Sequence, residues 1–148
     1  MNSKSLSDDK PVGVIGAGNF GTVVANMLAL HSKVLLYARD ERVVNKIIHQ
    51  KENRGHVIHH NVTPTNDLAH LAEKCDIIFP MVPSEHFRAM MKKLSPHLHP
   101  YHILIHGTKG FDITLPETAI SIPLLITEPV LRELKINPPD WARRGCAI

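Results

Sequence analysis

The sequence predicts an α/β domain built on a doubly wound parallel sheet, and two observations carry that prediction. Short apolar runs alternate with segments whose apolar residues recur at helical spacing, an order that calls for a parallel sheet covered by helices on both faces. The first run, Val12-Gly13-Val14-Ile15, feeds directly into the turn Gly16-Ala17-Gly18-Asn19-Phe20-Gly21, after which Val23, Val24, Met27 and Leu28 follow at helical spacing. A Gly-x-Gly-x-x-Gly turn between a strand and a helix is the arrangement that seats a pyrophosphate. Gly16 permits a tight exit from the strand, Gly18 leaves the backbone open to the phosphates, and Gly21 lets the helix pack against the strand. The anion then meets the unpaired N–H groups and positive dipole end of that helix. The fold class expected is therefore a Rossmann-type, dinucleotide-binding sheet.

The elements follow in order. Residues 11–15 read as the first strand and 19–31 as the first helix; 33–37 form the second strand, and 41–51 the second helix. Residues 53–61 read as a loop. A third strand over 62–65 leads to a helix ending near Lys74, with Asn66 or Asp67 as its cap. Residues 76–82 give the fourth strand, Ser84 caps a helix running to Leu94, and 102–106 is a fifth strand of buried type. Ligands of such sheets bind beyond the carboxyl ends of the strands, where the turns at Gly16, Arg39, Pro83 and Gly107 fall. Three regions result: a polar tail over 1–10, the dinucleotide domain over 11–117, and a Pro-interrupted, divergent segment over 118–148.

Composition narrows the classes of function. With 148 residues, 43% hydrophobic and 21% charged, the chain suits one ordinary globular domain. Its 17 basic and 14 acidic residues are spread out and only 5% of residues are aromatic, which argues against nucleic-acid binding. Residues 1–10 lack the apolar centre of a signal peptide, and no apolar run approaches membrane-spanning length, so a cytoplasmic protein is expected. Cys75 and Cys146 read as reduced thiols. His97, His99, His102 and His106, with His59-His60, are dense, but they flank prolines or sit at strand ends without Cys or carboxylate partners at regular spacing, and no metal is expected. His106 precedes the last turn and reads either as a substrate contact or as a hydrogen-bonded strand histidine.

At the end of the second strand an NAD site usually places a carboxylate for the ribose 2′-hydroxyl, and this chain has Ala38-Arg39-Asp40. The Arg39 guanidinium suits the 2′-phosphate of NADP; its alternative is a solvated loop residue pairing with Asp40 or Glu41. Asp40 turned toward the ribose would serve NAD, so the cofactor is NADP or NAD. Met81-Val82-Pro83-Ser84 shapes a wall of the cleft, and Phe87 reads either as a cofactor contact or as core. In Gly107-Thr108-Lys109-Gly110, Lys109 would carry an ammonium into the cleft, against the alternative of an ordinary surface lysine.

These pieces together resemble the N-terminal domain of NAD(P)-dependent glycerol-3-phosphate dehydrogenase. The family's Gly-Ala-Gly-Asn-aromatic-Gly-Thr start is similar to Gly16 through Thr22, and its pattern after the second strand to Ala38-Arg39-Asp40. Asn61-Val62-Thr63-Pro64-Thr65-Asn66-Asp67-Leu68, Val82-Pro83-Ser84 and Thr108-Lys109-Gly110 resemble three further family segments, in the family's order. The resemblance implies hydride transfer between NAD(P) and the pair glycerol 3-phosphate and dihydroxyacetone phosphate, feeding glycerophospholipid synthesis, with a homodimer in the full-length enzyme. It implies that Asn19, Phe20 and Arg39 contact the dinucleotide and that Lys109 reaches both cofactor and substrate. Two departures stand out. The family's Leu-Pro-Gly loop is replaced by Arg54-Gly55-His56-Val57-Ile58, and neither the family's Gly-Pro-Asn segment nor the helical domain with its second, proton-transferring lysine is found; Lys135 reads as solvated. The expectation is thus a cofactor-binding domain without catalytic residues of its own and inactive alone. The alternatives are another two-domain Rossmann oxidoreductase, of the ketopantoate reductase or hydroxyacid dehydrogenase kind, or a non-catalytic dinucleotide-binding fragment.

Overall fold

Strands β1 (Val12–Ile15), β2 (Val34–Tyr37), β5 (Val62–Thr65), β6 (Ile77–Pro80) and β7 (Ile103–Leu104) form one sheet in the order β5-β2-β1-β6-β7, all neighbours parallel. The computed structural model describes residues 10–107, together with the backbone of β8 (Phe111–Asp112) and β9 (Ile120–Ser121), which pair antiparallel. Lys109, the remainder of 108–119 and residues 122–148, and with them the expected boundary at residue 117, lie outside the described residues.

Alternation along the central strand builds two cores. Val14 and Ile15 are both fully buried but point to opposite faces. On one face Ile15 joins Leu71, Ile78, Phe87, Met91 and Leu94 beneath α3 (Leu68–Lys74) and α4 (Ser84–Leu94). On the other, Val14 joins Ala25, Leu36, Ile47 and Val62 beneath α1 (Asn19–Leu28) and α2 (Glu41–Gln50). A sheet apolar on both faces has no other way to leave water. The strand order reverses between β1 and β6, and the glycine turn leaves β1 at that switch point.

Several local expectations are corrected. The first helix stops at Leu28 and closes in turn bonds from Leu30 to Met27 and from His31 and Ser32 to Leu28, short of the expected residue 31. The expected loop over 53–61 contains a hairpin, β3 (Glu52–Asn53) against β4 (His56–Val57), because Arg54 and Gly55 both take positive φ, 54° and 82°, as a tight hairpin turn requires. Ser84 is the first residue of α4 and Pro83 stands at the cap position, with no side-chain cap bond. Asp67, one of the two caps expected for α3, accepts from the His70 amide. The fifth strand is a two-residue edge among the described residues; Ile103 and Ile105 on its open face are 43% and 46% exposed, so it is not of buried type. Lys10, expected in the polar tail, pairs with the nearly buried Asp76 at 2.7 Å and so belongs to the folded body.

A candidate dinucleotide cleft at the carboxyl edge of the sheet

The glycine turn has three different demands on its three glycines. Gly16 sits at φ +116°, where a side chain is strained, and an added Cβ would lie 2.5 Å from the Met81 carbonyl oxygen. Its amide donates to the Tyr37 carbonyl at 3.0 Å, tying β1's exit to β2. Gly21, inside α1, has no room: a Cβ would overlap the Gly16 carbonyl oxygen and stand 3.0 Å from its carbon. Gly18 is the opposite case. It occupies the cap position of α1 in extended backbone, and nothing lies within 4 Å of where its Cβ would be.

That empty space opens on a cleft of about 360 Å³ lined by Gly18, Asn19, Phe20, Gly21, Met81, Val82, Pro83, Ser84 and Gly107. Its volume lies in the range of small-ligand sites. No side chain caps α1 and its first turn carries no acidic residue, so the helix offers uncapped amides to an anion beside Gly18. Phe20 is 61% exposed, available to a ligand, and its ring edge closes on Gly107.

A residue outside the glycine motif holds the turn in shape. Asn53, 3% exposed, donates from Nδ2 to the Ala17 carbonyl at 3.0 Å and to the Thr22 hydroxyl at 2.8 Å, and that hydroxyl donates to the Gly18 carbonyl at 2.7 Å. The hairpin after α2 is thereby fastened to the turn it faces. Sequence reading missed Asn53. Its only local signal was its place before the Arg54-Gly55 turn, which says nothing of partners more than thirty residues away.

At the end of β2, Ala38 is buried, and its amide donates to the Thr65 carbonyl. Arg39 is exposed and makes no hydrogen bond or ion pair among the described residues. The solvated pairing weighed for it, with Asp40 or Glu41, is not formed. Asp40 instead caps α2 by accepting from the Arg42 amide at 2.9 Å and takes the Arg42 side chain on both carboxylate oxygens. Those hydrogen bonds, followed by the Arg42 and Arg39 charges, hold its carboxyl below the ordinary range. Burial pushes the neighbouring Tyr37 phenol up, with the Arg39 charge opposing.

The other expected residues divide. Gly18, Asn19, Phe20 and Gly21 line the cleft, Gly16 lies in the turn behind it, and Arg39 stands at the next turn along the same edge. Phe87 is a correction: it is wholly buried in the core under α4 and does not face the cleft, because its position in the first turn of α4 points it at the sheet. His106 packs edge-on to it with ring centroids 6.1 Å apart, and its buried Nδ1 has no hydrogen-bond partner among the described residues. His102 is spent on backbone, its Nδ1 accepting from the His99 amide and its Nε2 at 2.8 Å from the Ala72 carbonyl.

The described geometry, a glycine turn opening a helix at the switch point of a parallel sheet, meets an independent finding. The family model for the N-terminus of NAD-dependent glycerol-3-phosphate dehydrogenase matches residues 11–138. The chain belongs to that family. The match runs past Glu117, where the sequence reading ended the domain. Among curated relatives, the chain is 36% identical over 113 residues to a glycerol-3-phosphate dehydrogenase (NAD(P)+) of Saccharophagus degradans, covering 73% of this chain and 32% of that protein. It is 28% identical over 143 residues to that of Syntrophotalea carbinolica, covering 92% of this chain and 43% of that one. The chain thus spans a third to under half of these relatives' length. Among solved structures, the fold is like that of glycerol-3-phosphate dehydrogenase from Coxiella burnetii, with a TM-score of 0.69 at 24% identity over 86% of this chain and 38% of that one. Prephenate dehydrogenase of A. aeolicus shares the fold at TM-score 0.61 and 19% identity, covering 86% of this chain and 40% of that one.

Proposed function

We propose that this domain holds the nicotinamide dinucleotide of a glycerol-3-phosphate dehydrogenase that interconverts glycerol 3-phosphate and dihydroxyacetone phosphate. The observation that carries the reading is the open face of Gly18 beside the uncapped amides of α1, in the cleft at the sheet's switch point. The residues fit the group: backbone from Gly16 to Gly21 would hold the pyrophosphate, Asn19 and Phe20 would line its approach, and Arg39 would meet the adenosine ribose. Lys109 is assigned to cofactor and substrate on the family motif Thr108-Lys109-Gly110. Bound cofactor supplies or accepts the hydride. The protein's part is to orient the nicotinamide and to exclude water around it.

The same family membership supports a place in glycerophospholipid synthesis in the cytoplasm and a homodimer of the longer enzyme. Among the described residues no helix is long and apolar enough to cross a membrane. Titration of NADPH by its fluorescence tests the site. Gly18→Val should abolish binding while the circular dichroism spectrum is retained, and unchanged affinity would refute the assignment of this turn. Oxidation of NADPH that depends on dihydroxyacetone phosphate, measured on the enzyme in its longest form, tests the substrate; its absence would refute that part alone.

A further inference from the structure

No Asp, Glu, Lys or Arg occurs between Pro11 and Ser32, in a chain where 21% of residues are charged. A surface helix turns a polar face to water, and one that is apolar all round belongs in a buried place. α1 buries Thr22 and Ala25 toward the sheet, yet Val23, Met27 and, in the turn after the helix, Leu30 stand outward, 40%, 61% and 64% exposed. Their spacing of four and then three residues sets them on one stripe. We infer that this stripe, with the hairpin beside it, is the contact surface between two copies of the chain. Such a contact is independent of what the dinucleotide cleft binds, and it gives the homodimer proposed above a surface.

Beside the stripe lies a groove of about 440 Å³, and Val57 of β4, 79% exposed, stands on its other side. The groove is held in shape by side chains. Asn26 donates from Nδ2 to the Val57 carbonyl at 2.8 Å and accepts from the His59 amide at 3.0 Å, and Asn61 donates to the Ala29 carbonyl at 3.0 Å. Asn26 is thus engaged at both ends, and the groove's other lining side chains, His56 and His59 apart, are apolar.

Charge and area choose a second copy as the occupant. A two-fold contact brings each surface against itself, which a charge near the axis opposes and a charge-free helix permits. The four apolar side chains leave about 400 Å² uncovered on each copy, the size that marks a contact site. With the histidine rim, two copies would bury about 1,000–1,200 Å² in all, the lower limit of a specific interface, so association in the micromolar range is expected. Met27 lies in the middle of the stripe, and the two-fold axis sets it against its own counterpart.

Sedimentation velocity of the full chain over about 1–500 μM, a range that brackets micromolar association, should show a monomer–dimer equilibrium. Met27→Lys sets two ammonium groups at the axis and should weaken that association about tenfold or more. Val57→Lys, across the groove, should weaken it as well, and it decides the matter should Met27→Lys fail to melt as the parent does. Both side chains are exposed and lie outside the dinucleotide cleft, so melting temperature and NADPH affinity should be those of the parent. A chain that stays monomeric throughout the range overturns the inference and leaves the groove to a different partner. Dimers that persist unweakened in a folded variant overturn it by placing the contact elsewhere.

Discussion

A methyl group added at Gly18 or at Gly21 should have opposite consequences, although the two glycines are three residues apart in one motif. At Gly18 the backbone is extended, φ −77° and ψ −174°, and nothing stands within 4 Å of the new carbon. The cost of Gly18→Ala to folding is confined to a poorer helix cap, under about 1 kcal/mol. The same methyl projects into the space where a pyrophosphate would approach, so NADPH affinity should fall at least about tenfold, since 1.4 kcal/mol of lost contact suffices. At Gly21 the added carbon strikes the Gly16 carbonyl, with the carbonyl carbon at 3.0 Å and Met81 Cβ at 3.5 Å. Relieving a helical glycine returns about 0.5–1 kcal/mol, but overpacking costs about 1–3 kcal/mol and more where backbone must move. Here the struck atom belongs to a residue already at φ +116° and bonded to Tyr37, so it cannot rotate away. A net loss of about 2 kcal/mol lowers the melting temperature by about 4–8 °C. Thermal unfolding followed by circular dichroism, paired with NADPH fluorescence titration, separates the two. A Gly18→Ala protein with full cofactor affinity, or a Gly21→Ala protein with an unchanged melt, would refute the division of labour.

Other outcomes follow from the same geometry. Asn53→Ala should lose about 1–3 kcal/mol of stability in urea unfolding, because it strands the Ala17 carbonyl, and should weaken NADPH binding as the turn loosens; Asn53→Asp, which sets an acceptor against the carbonyl, should be worse. Arg39→Ala should weaken NADPH binding by about 1.5–3 kcal/mol and NADH little, and equal losses would show that Arg39 only supports the loop. Burial pushes the Cys75 thiol up to about 12, with the Asp76 charge adding, so mass mapping should find Cys75 unalkylated by iodoacetamide until the protein unfolds. The Asp40 and Glu52 carboxyls are both held below their ordinary 3.8 and 4.5, Asp40 by Arg42 and Glu52 first by the Gly55 amide and then by Lys46. Groups lowered in the folded state stabilise it above their ordinary values, so urea midpoints should fall as pH drops through and below that range, and the Asp40 share of the drop should shrink in Arg42→Ala, which keeps the residue 42 amide and the Arg39 charge.

The chain by itself determined the class of the fold and the glycine turn proposed to seat the dinucleotide, because both are written in local rules. Period-two and helical spacings specify which segments are strands and which are helices, and the glycine spacing specifies a turn that few other sequences make. Thus β5 and the start of α1 fall where the sequence places them, and Gly18 and Gly21 line one cleft beside the turn at Gly16. Tertiary structure decided what local spacing cannot encode. Phe87 carries the same motif context whether it faces cofactor or core, and only the packing of α4 on the sheet sends it inward. Asp40 and Arg39 read alike as ribose ligands until the cap of α2 and the Arg42 fork consume the carboxylate. Asn53 gains its role from Ala17 and Thr22, which approach it only after α2 has crossed back over the sheet. Each of these depends on a partner distant in the chain, and a side chain's chemistry is settled by the partners it finds.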